Sequence, residues 1–427
     1  MKKMLIQSSI LLLIGGFITK LLGMLIKIIM SRNLGIDGIS LYMLTLPTFS
    51  FCILLGQAGL PFTLSRMVAY HDKPLSSLYV STLVFLFFYN LLLCIVLILL
   101  APFISHNLLK NDAAYLPIIG IALVIPFTTL SNTIKSYFIG IQKIFPTILS
   151  NISENTLRLL FVYWIIPLLK SNSQSYLVFL IILFNIVSEL FATIILLLFL
   201  PKKKKTFSFQ SSLLKETLYV STPQLLSTLI GNGTYLLEPI LFFHFLSEQF
   251  QTNYITQQYG IITGYVLPII FLPLFFITTL SQALLPTITQ LYRKNNISKI
   301  RKLLKFQNIS ILLFSIGTGT IFHLYAKTIL QLIYHTVYGI QYLKFLSFFL
   351  FFLFLEPTFQ YLWIAFGKTK EIFKGTLFSS IIRILSLLVF LQLEFGIYSL
   401  LLSFVINIIL TTLYQNHRIV YYIKKRG

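Results

Sequence analysis

Apolar residues fall in twelve long blocks along this chain, and polar residues collect in the breaks between them. Each block is near the roughly 20 residues that an α-helix needs to cross a bilayer. They lie near 5–30, 41–64, 78–102, 115–139, 145–169, 176–200, 217–246, 259–285, 306–330, 343–366, 374–393 and 397–420. The longest break, PKKKKTFSFQSSLLK, sits close to the midpoint and holds four consecutive lysines, Lys202 to Lys205. A lysine at the centre of a membrane helix costs about 2.5–3.5 kcal/mol on insertion scales, so these four hold the break in water. Six blocks lie on each side of it. The pattern predicts an all-α integral membrane protein with about twelve transmembrane helices in two six-helix lobes. Residues 1–200 form the first lobe, 201–215 a basic cytoplasmic linker and 216–427 the second lobe.

Charge placement orients the blocks. With the N-terminus in the cytoplasm, 23 of the 33 Lys and Arg fall in cytoplasmic segments, and only Arg32, Lys110, Lys170, Lys327 and Lys344 fall outside. That is the asymmetry of the positive-inside rule, and it puts both termini in the cytoplasm. The expected location is the cell's cytoplasmic membrane. The first block follows Lys2 and Lys3 and lacks a small-residue cleavage site, so it reads as a span and not as a cleaved signal.

Composition agrees. The chain is 57% hydrophobic and 10% charged, against roughly 25% charged residues in soluble domains. The formal net charge of +22 comes from residues that sit between apolar blocks. It therefore reads as a topology signal with attraction to anionic lipid, and no nucleic-acid partner is expected. Cys52 and Cys94 fall inside blocks and suit a helix core. The six histidines show no ligand spacing, so no metal site and no catalytic residue is expected.

Five basic residues remain inside blocks: Lys20, Lys27, Lys135, Arg158 and Arg383. Three acids, Glu154, Glu189 and Glu238, lie equally deep. Intramembrane charges are costly and face a bundle interior or a watery cavity. In ILLLIGGFITKLLGMLIKIIM, Gly16, Lys20, Gly23 and Lys27 are four, three and four apart, so they share one helix face. That face is small and cationic, while the opposite face suits lipid. Both lysines could instead snorkel to the interfaces. Snorkelling suits Lys27, but Lys20 stands about 22 Å along the helix from the block's start. Glu154 and Arg158, at i and i+4, can pair on one face. They read equally well as a structural pair or as a ligand-facing one. Arg66 follows GQAGLP near the cytoplasmic mouth. Lys20, Lys27, Arg66, Lys135 and Arg158 outnumber the acids of the first half, and a cavity with that balance suits an anionic phosphate or pyrophosphate. In the second half, Glu238 precedes Pro239, which frees a backbone carbonyl. Glu238 is thus a candidate for coupling to Na+ or H+, or else a hydrogen-bonded structural acid.

Four stretches then carry a resemblance: ITKLLGMLIKIIMSRNLGIDGISLYMLTLP (18–47), GQAGLPFTLSRMVA (56–69), IPFTTLSNTIKSYFIGIQKIFPTILSNISENTLRLL (125–160), and STPQLLSTLIGNGTYLLEPIL (221–241) with its continuation through 295. The chain resembles the polysaccharide-transporter branch of the multidrug/oligosaccharidyl-lipid/polysaccharide (MOP) exporter superfamily, and within it the stage V sporulation protein B-like and lipid II flippase-like groups. It departs from the family at Lys135, where an arginine is usual. The resemblance implies a V-shaped pair of six-helix lobes working by alternating access, and lipid-linked anionic glycans as cargo. It further implies that Lys20, Lys27 and Arg66 contact pyrophosphate and that Glu238 lies where some relatives couple a cation. No resident cofactor is implied. The resulting expectation is a non-enzymatic flippase of an undecaprenyl-pyrophosphate-linked oligosaccharide. The alternatives are a MATE-like multidrug or cation antiporter, a polyprenyl-linked glycosyltransferase, and a non-transporting scaffold in envelope or spore assembly. The few scattered acids argue against the glycosyltransferase.

Overall fold

A computed structural model describes the backbone of residues 2–70, 75–200 and 211–424. All regular structure among these residues is helical. The chain folds as two compact units, Met1–Leu236 and Leu237–Gly427.

The first unit begins with α1 (Lys2–Gln57), which bends at Gly35. There φ is 66° and ψ is −166°, a backbone region open only to glycine at low cost. Then follow α2 (Leu60–Tyr70), α3 (Leu75–Phe103), α4 (Tyr115–Gly140), α5 (Ile144–Leu160), α6 (Ile166–Leu168) and α7 (Gln174–Leu198). One wide π turn, Phe161–Ile165, joins α5 to α6 ahead of Pro167. A proline has no N–H to give and crowds the carbonyl four residues back, and a widened turn relieves both problems.

The unit is organised around α4, which packs against α1, α2, α3 and α7. Its inward positions are small and polar: Thr129, Ser131 and Thr133 are fully buried. Small residues let helices approach closely where lipid supplies no hydrophobic drive for association. Asn90 on α3 donates to the Gly56 carbonyl on α1 at 3.0 Å and accepts from the Thr129 hydroxyl at 3.3 Å. On the other side of α3, Phe88, Leu92 and Leu99 are 62–73% exposed. An apolar stripe this wide is suited to lipid, not to water.

α8 (Ser211–Leu246) crosses from one unit into the other. Its first half belongs with unit 1 because Leu218 packs on the cluster of Ala58, Leu60 and Leu86. In addition, a Cβ placed on Gly59 would lie 3.1 Å from the Ser221 carbonyl oxygen. The unit boundary thus falls within the seventh apolar block. Of the linker expected at 201–215, residues 201–210, including Lys202 to Lys205, lie outside the described residues.

Unit 2 continues with α9 (Thr252–Gly260), a second wide turn (Ile261–Val266) ahead of Pro268, α10 (Leu267–Phe271) and α11 (Leu274–Arg293). Next come α12 (Ile297–Leu324), α13 (Ala326–Tyr334), α14 (Ile340–Ser347), α15 (Leu350–Ala365), α16 (Thr369–Gln392) and α17 (Tyr398–Lys424). α12 and α13 meet at 79°, and α14 and α15 at 60°. The core lies where α15 packs against α11, α12 and α17. Trp363 on α15 is 1% exposed and donates its indole N–H to Gln415 Oε1 on α17 at 2.7 Å. Gln307 on α12 donates to Ser281 on α11 and Thr358 on α15, at 3.0 and 3.1 Å. These buried side chains thus find their partners on neighbouring helices.

Each of the twelve apolar blocks falls mostly on helix. By length and composition, eight helices among the described residues can cross a membrane, or ten if each bent pair is one span. α1, with its bend at Gly35, holds the first block and most of the second, which ends in α2. The runs 144–168 and 252–271 are each interrupted by a wide turn.

Candidate functional site

The deep charges separate into three groups. The first lies on α1. Gly15 is packed hard: a Cβ there would meet Ile148 of α5 at 2.4 Å. Gly16 and Gly23 are the opposite case, because nothing lies within 4 Å of where their Cβ atoms would be. One side of α1 therefore seats on α5, and the side bearing Gly16, Lys20, Gly23 and Lys27 borders open space. Lys20 is exposed and Lys27 half-buried. Gly16, Lys20, Gly23 and Lys27 lie on the one helix as the spacing predicts, with space beside the two glycines. Arg66 lies on α2, and its side chain lies outside the described residues.

The second group is a closed network in unit 1. Lys135 on α4 reaches Glu154 on α5, Nζ to Oε2 at 2.6 Å, and Glu189 on α7 at 3.7 Å. Arg158 spans the same two acids: one guanidinium nitrogen is 2.8 Å from Glu154 Oε1 and the other 3.1 Å from Glu189 Oε1. Its Nε–H donates to the Ser188 hydroxyl at 2.9 Å. Lys135, Glu154 and Glu189 are 8%, 6% and 3% exposed. Two cations and two anions alternate around the network, so its formal charge is zero. Lys135 and Arg158, counted from the sequence toward a basic cavity, are each met by two carboxylates. The i, i+4 pair of Glu154 and Arg158 is real and belongs to a four-membered network that clamps α4, α5 and α7 together. Glu189 was the unassigned member. The signal for it was numerical: the fourth to sixth blocks hold two deep bases and two deep acids.

The third group pairs Glu238 on α8, read from the sequence as an ion-coupling candidate or a hydrogen-bonded structural acid, with a base. Arg383 on α16, 145 residues away, donates its Nε–H to Glu238 Oε2 at 2.7 Å, and its Nη2 lies 2.6 Å from the same oxygen. The Phe404 ring of α17 lies 5.0 Å from the guanidinium carbon. Both charged residues are at least nine-tenths buried. The guanidinium thus meets one oxygen of the carboxylate through two nitrogens. Among the described residues no group of three His, Cys, Asp or Glu could hold a metal ion.

A model of the family described as polysaccharide biosynthesis protein matches residues 5–292. The chain belongs to this family. Among polysaccharide biosynthesis proteins and their kin, stage V sporulation protein B of Bacillus subtilis (strain 168) is 27% identical over 306 residues. That match covers 68% of this chain and 59% of that protein's length. Two solved structures share the fold. One is an inward-facing multidrug resistance MATE family transporter of the MOP superfamily, with a TM-score of 0.74 at 16% identity over 95% of this chain and 96% of the other. The second is the lipid II flippase MurJ in an inward closed conformation, with a TM-score of 0.74 at 15% identity over 99% of this chain and 90% of the other. At such identities the likeness is one of fold. The chain is a multi-pass membrane protein with the fold of these two structures, one described as a transporter and the other as a flippase.

Proposed function

We propose that this chain is a flippase. It moves an undecaprenyl-pyrophosphate-linked oligosaccharide, lipid II or a related cell-wall or polysaccharide precursor, across the cytoplasmic membrane by alternating access. One observation supports the reading: Gly16, Lys20, Gly23 and Lys27 share one face of α1, and nothing lies within 4 Å of where Cβ atoms on Gly16 and Gly23 would be. Lys20 and Lys27, with Arg66 near the cytoplasmic mouth, hold the pyrophosphate by charge-assisted hydrogen bonds. The glycines let the phosphates approach the helix backbone. Lys135, Glu154, Arg158 and Glu189 hold the bundle that supports this face and do not touch cargo.

The membrane potential supplies the bias. Moving one elementary charge across the membrane is worth about 2.3 kcal/mol per 100 mV. Two phosphates lying against two lysines leave the loaded face nearly neutral, and the empty, cationic face is then drawn back toward a negative interior. The pairing of Glu238 with Arg383 favours this drive over Na+ or H+ coupling at that acid. The same pairing bears on the rival reading, a drug or cation antiporter. A cationic cargo needs a carboxylate free to meet it: Glu154, Glu189 and Glu238 each already meet a base, and Glu356 on α15, which accepts from Gln360 at 3.4 Å, is the acid such a reading would use.

The test is a leaflet-accessibility assay with labelled lipid II in proteoliposomes under an imposed potential. Wild type flips the label. Lys20→Ala, losing a charge-assisted bond of about 1.5–3 kcal/mol, flips it roughly 10- to 100-fold more slowly. Lys20→Glu stops flipping while the protein elutes as a folded species. Wild-type rates in Lys20→Glu, or efflux of a cationic dye with no flipping, overturn the reading.

A further inference from the structure

Unit 2 carries a groove of about 530 Å3 that shares no residue with the charge groups above. The volume lies in the range of small-molecule sites. Its walls are α12, α15 and α17. On α12 the lining positions run Arg301, Lys305, Asn308 and Leu312, spaced at four, three and four, so they stack along one side of the helix over about 16 Å. The C-terminal end of α17 reaches the same end of the groove. Tyr422 meets Tyr292, five residues before α12 begins, hydroxyl to hydroxyl at 2.5 Å. Lys424 therefore joins Arg301 and Lys305 at the mouth. Below the mouth the trough is apolar, with Leu312, Phe351 and Phe359 as its walls, and Leu312 is 40% exposed. No acid lines the groove. The Asn308 Oδ1 atom is buried with no hydrogen-bond partner among the described residues.

From this geometry we infer that the groove binds one anionic phospholipid of the surrounding bilayer, with its phosphate at Arg301, Lys305 and Lys424 and an acyl chain in the trough. A length of about 16 Å is half of the roughly 30 Å hydrocarbon core, so the groove reaches through one leaflet. Its cationic end stands where that leaflet's phosphates lie. Three cations with no carboxylate among them favour a net negative headgroup over a zwitterionic one. The site belongs to the lipid solvent and not to the cargo, so it stands or falls apart from the transport reading.

The experiment is native mass spectrometry of the full chain released from nanodiscs of phosphatidylcholine doped with phosphatidylglycerol. Wild type is expected to keep one phosphatidylglycerol after the bulk lipid is stripped. Each cation near an anionic surface adds roughly fivefold to binding, so Arg301→Gln with Lys305→Gln lowers retention roughly 20-fold or more. Leu312→Trp, which fills the trough and leaves the mouth intact, abolishes retention. A matched control, Lys299→Gln with Lys302→Gln, removes the same charge from positions outside the groove and keeps the lipid. Equal loss in the control, equal retention of phosphatidylcholine, or displacement of the lipid by lipid II at equimolar amounts overturns the inference.

Discussion

At the scale of single residues, the deep charges do different work although they look alike in the sequence. Lys20 and Lys135 are both lysines inside apolar blocks. The first borders open space, and the second is buried against two carboxylates. Removing one partner from a buried ion pair leaves an uncompensated charge, at a cost of about 3–5 kcal/mol. Glu189→Gln is therefore expected to lower the unfolding temperature of the detergent-solubilised protein sharply. Glu189→Leu combined with Arg158→Leu should recover much of the loss, since a matched apolar replacement of a buried pair is close to neutral. A Glu189→Gln variant as stable as wild type would mean that the network contributes nothing to the fold. The deep charges were legible in the sequence, and so was the i, i+4 pair of Glu154 and Arg158, but partners on other helices were not. Glu238 and Arg383 stand 145 residues apart, and no local spacing rule reaches across that separation.

At the scale of the element, α1 carries the most readable signal in the chain. Gly16, Lys20, Gly23 and Lys27 share a face by spacing alone, and that face borders open space. Spacing could not tell Gly15 from Gly16, because adjacent glycines look equivalent until a neighbouring helix is in place. Their substitutions should now diverge. Gly16→Leu is expected to fold as well as wild type, with a gain of up to about 1 kcal/mol from lost backbone freedom in the unfolded chain. It should nonetheless slow flipping, because the leucine fills the room beside Lys20. Gly15→Leu meets Ile148 and should reduce the yield of folded protein. Measuring both yield and flipping for the two variants separates these roles; equal behaviour would dissolve the distinction. The prolines at 167 and 268 stand in the sequence just after wide turns at 161–165 and 261–266. That form, a wide turn in a helix that then continues, depends on neighbouring helices re-satisfying freed backbone groups.

At the scale of the whole molecule, the apolar blocks foretold an all-helical membrane fold, because a bilayer leaves the backbone few other solutions. The unit boundary was less visible. The polar break at 201–215 is the strongest interruption in the sequence, yet the first half of α8 packs with unit 1 through Leu218, Ser221 and Leu225. Packing is decided by contacts that a hydropathy profile does not carry. The sidedness of the chain remains a matter of charge, and it yields a direct test. Single cysteines at 143, 299 and 370, in a background with Cys52 and Cys94 replaced, should react with an impermeant maleimide only after the cells are opened. Cysteines at 110, 170 and 327 should react in intact cells. The reverse pattern would invert the orientation and, with it, the direction of transport.

The bond between Trp363 and Gln415 has a practical corollary. Only two tryptophans occur in the chain. Trp164, in the first unit, is 66% exposed, while Trp363 is enclosed in the second. Brominated acyl chains dissolved in the bilayer will quench the emission of one and leave the other bright. Native fluorescence can therefore report on each half of the molecule without any attached dye.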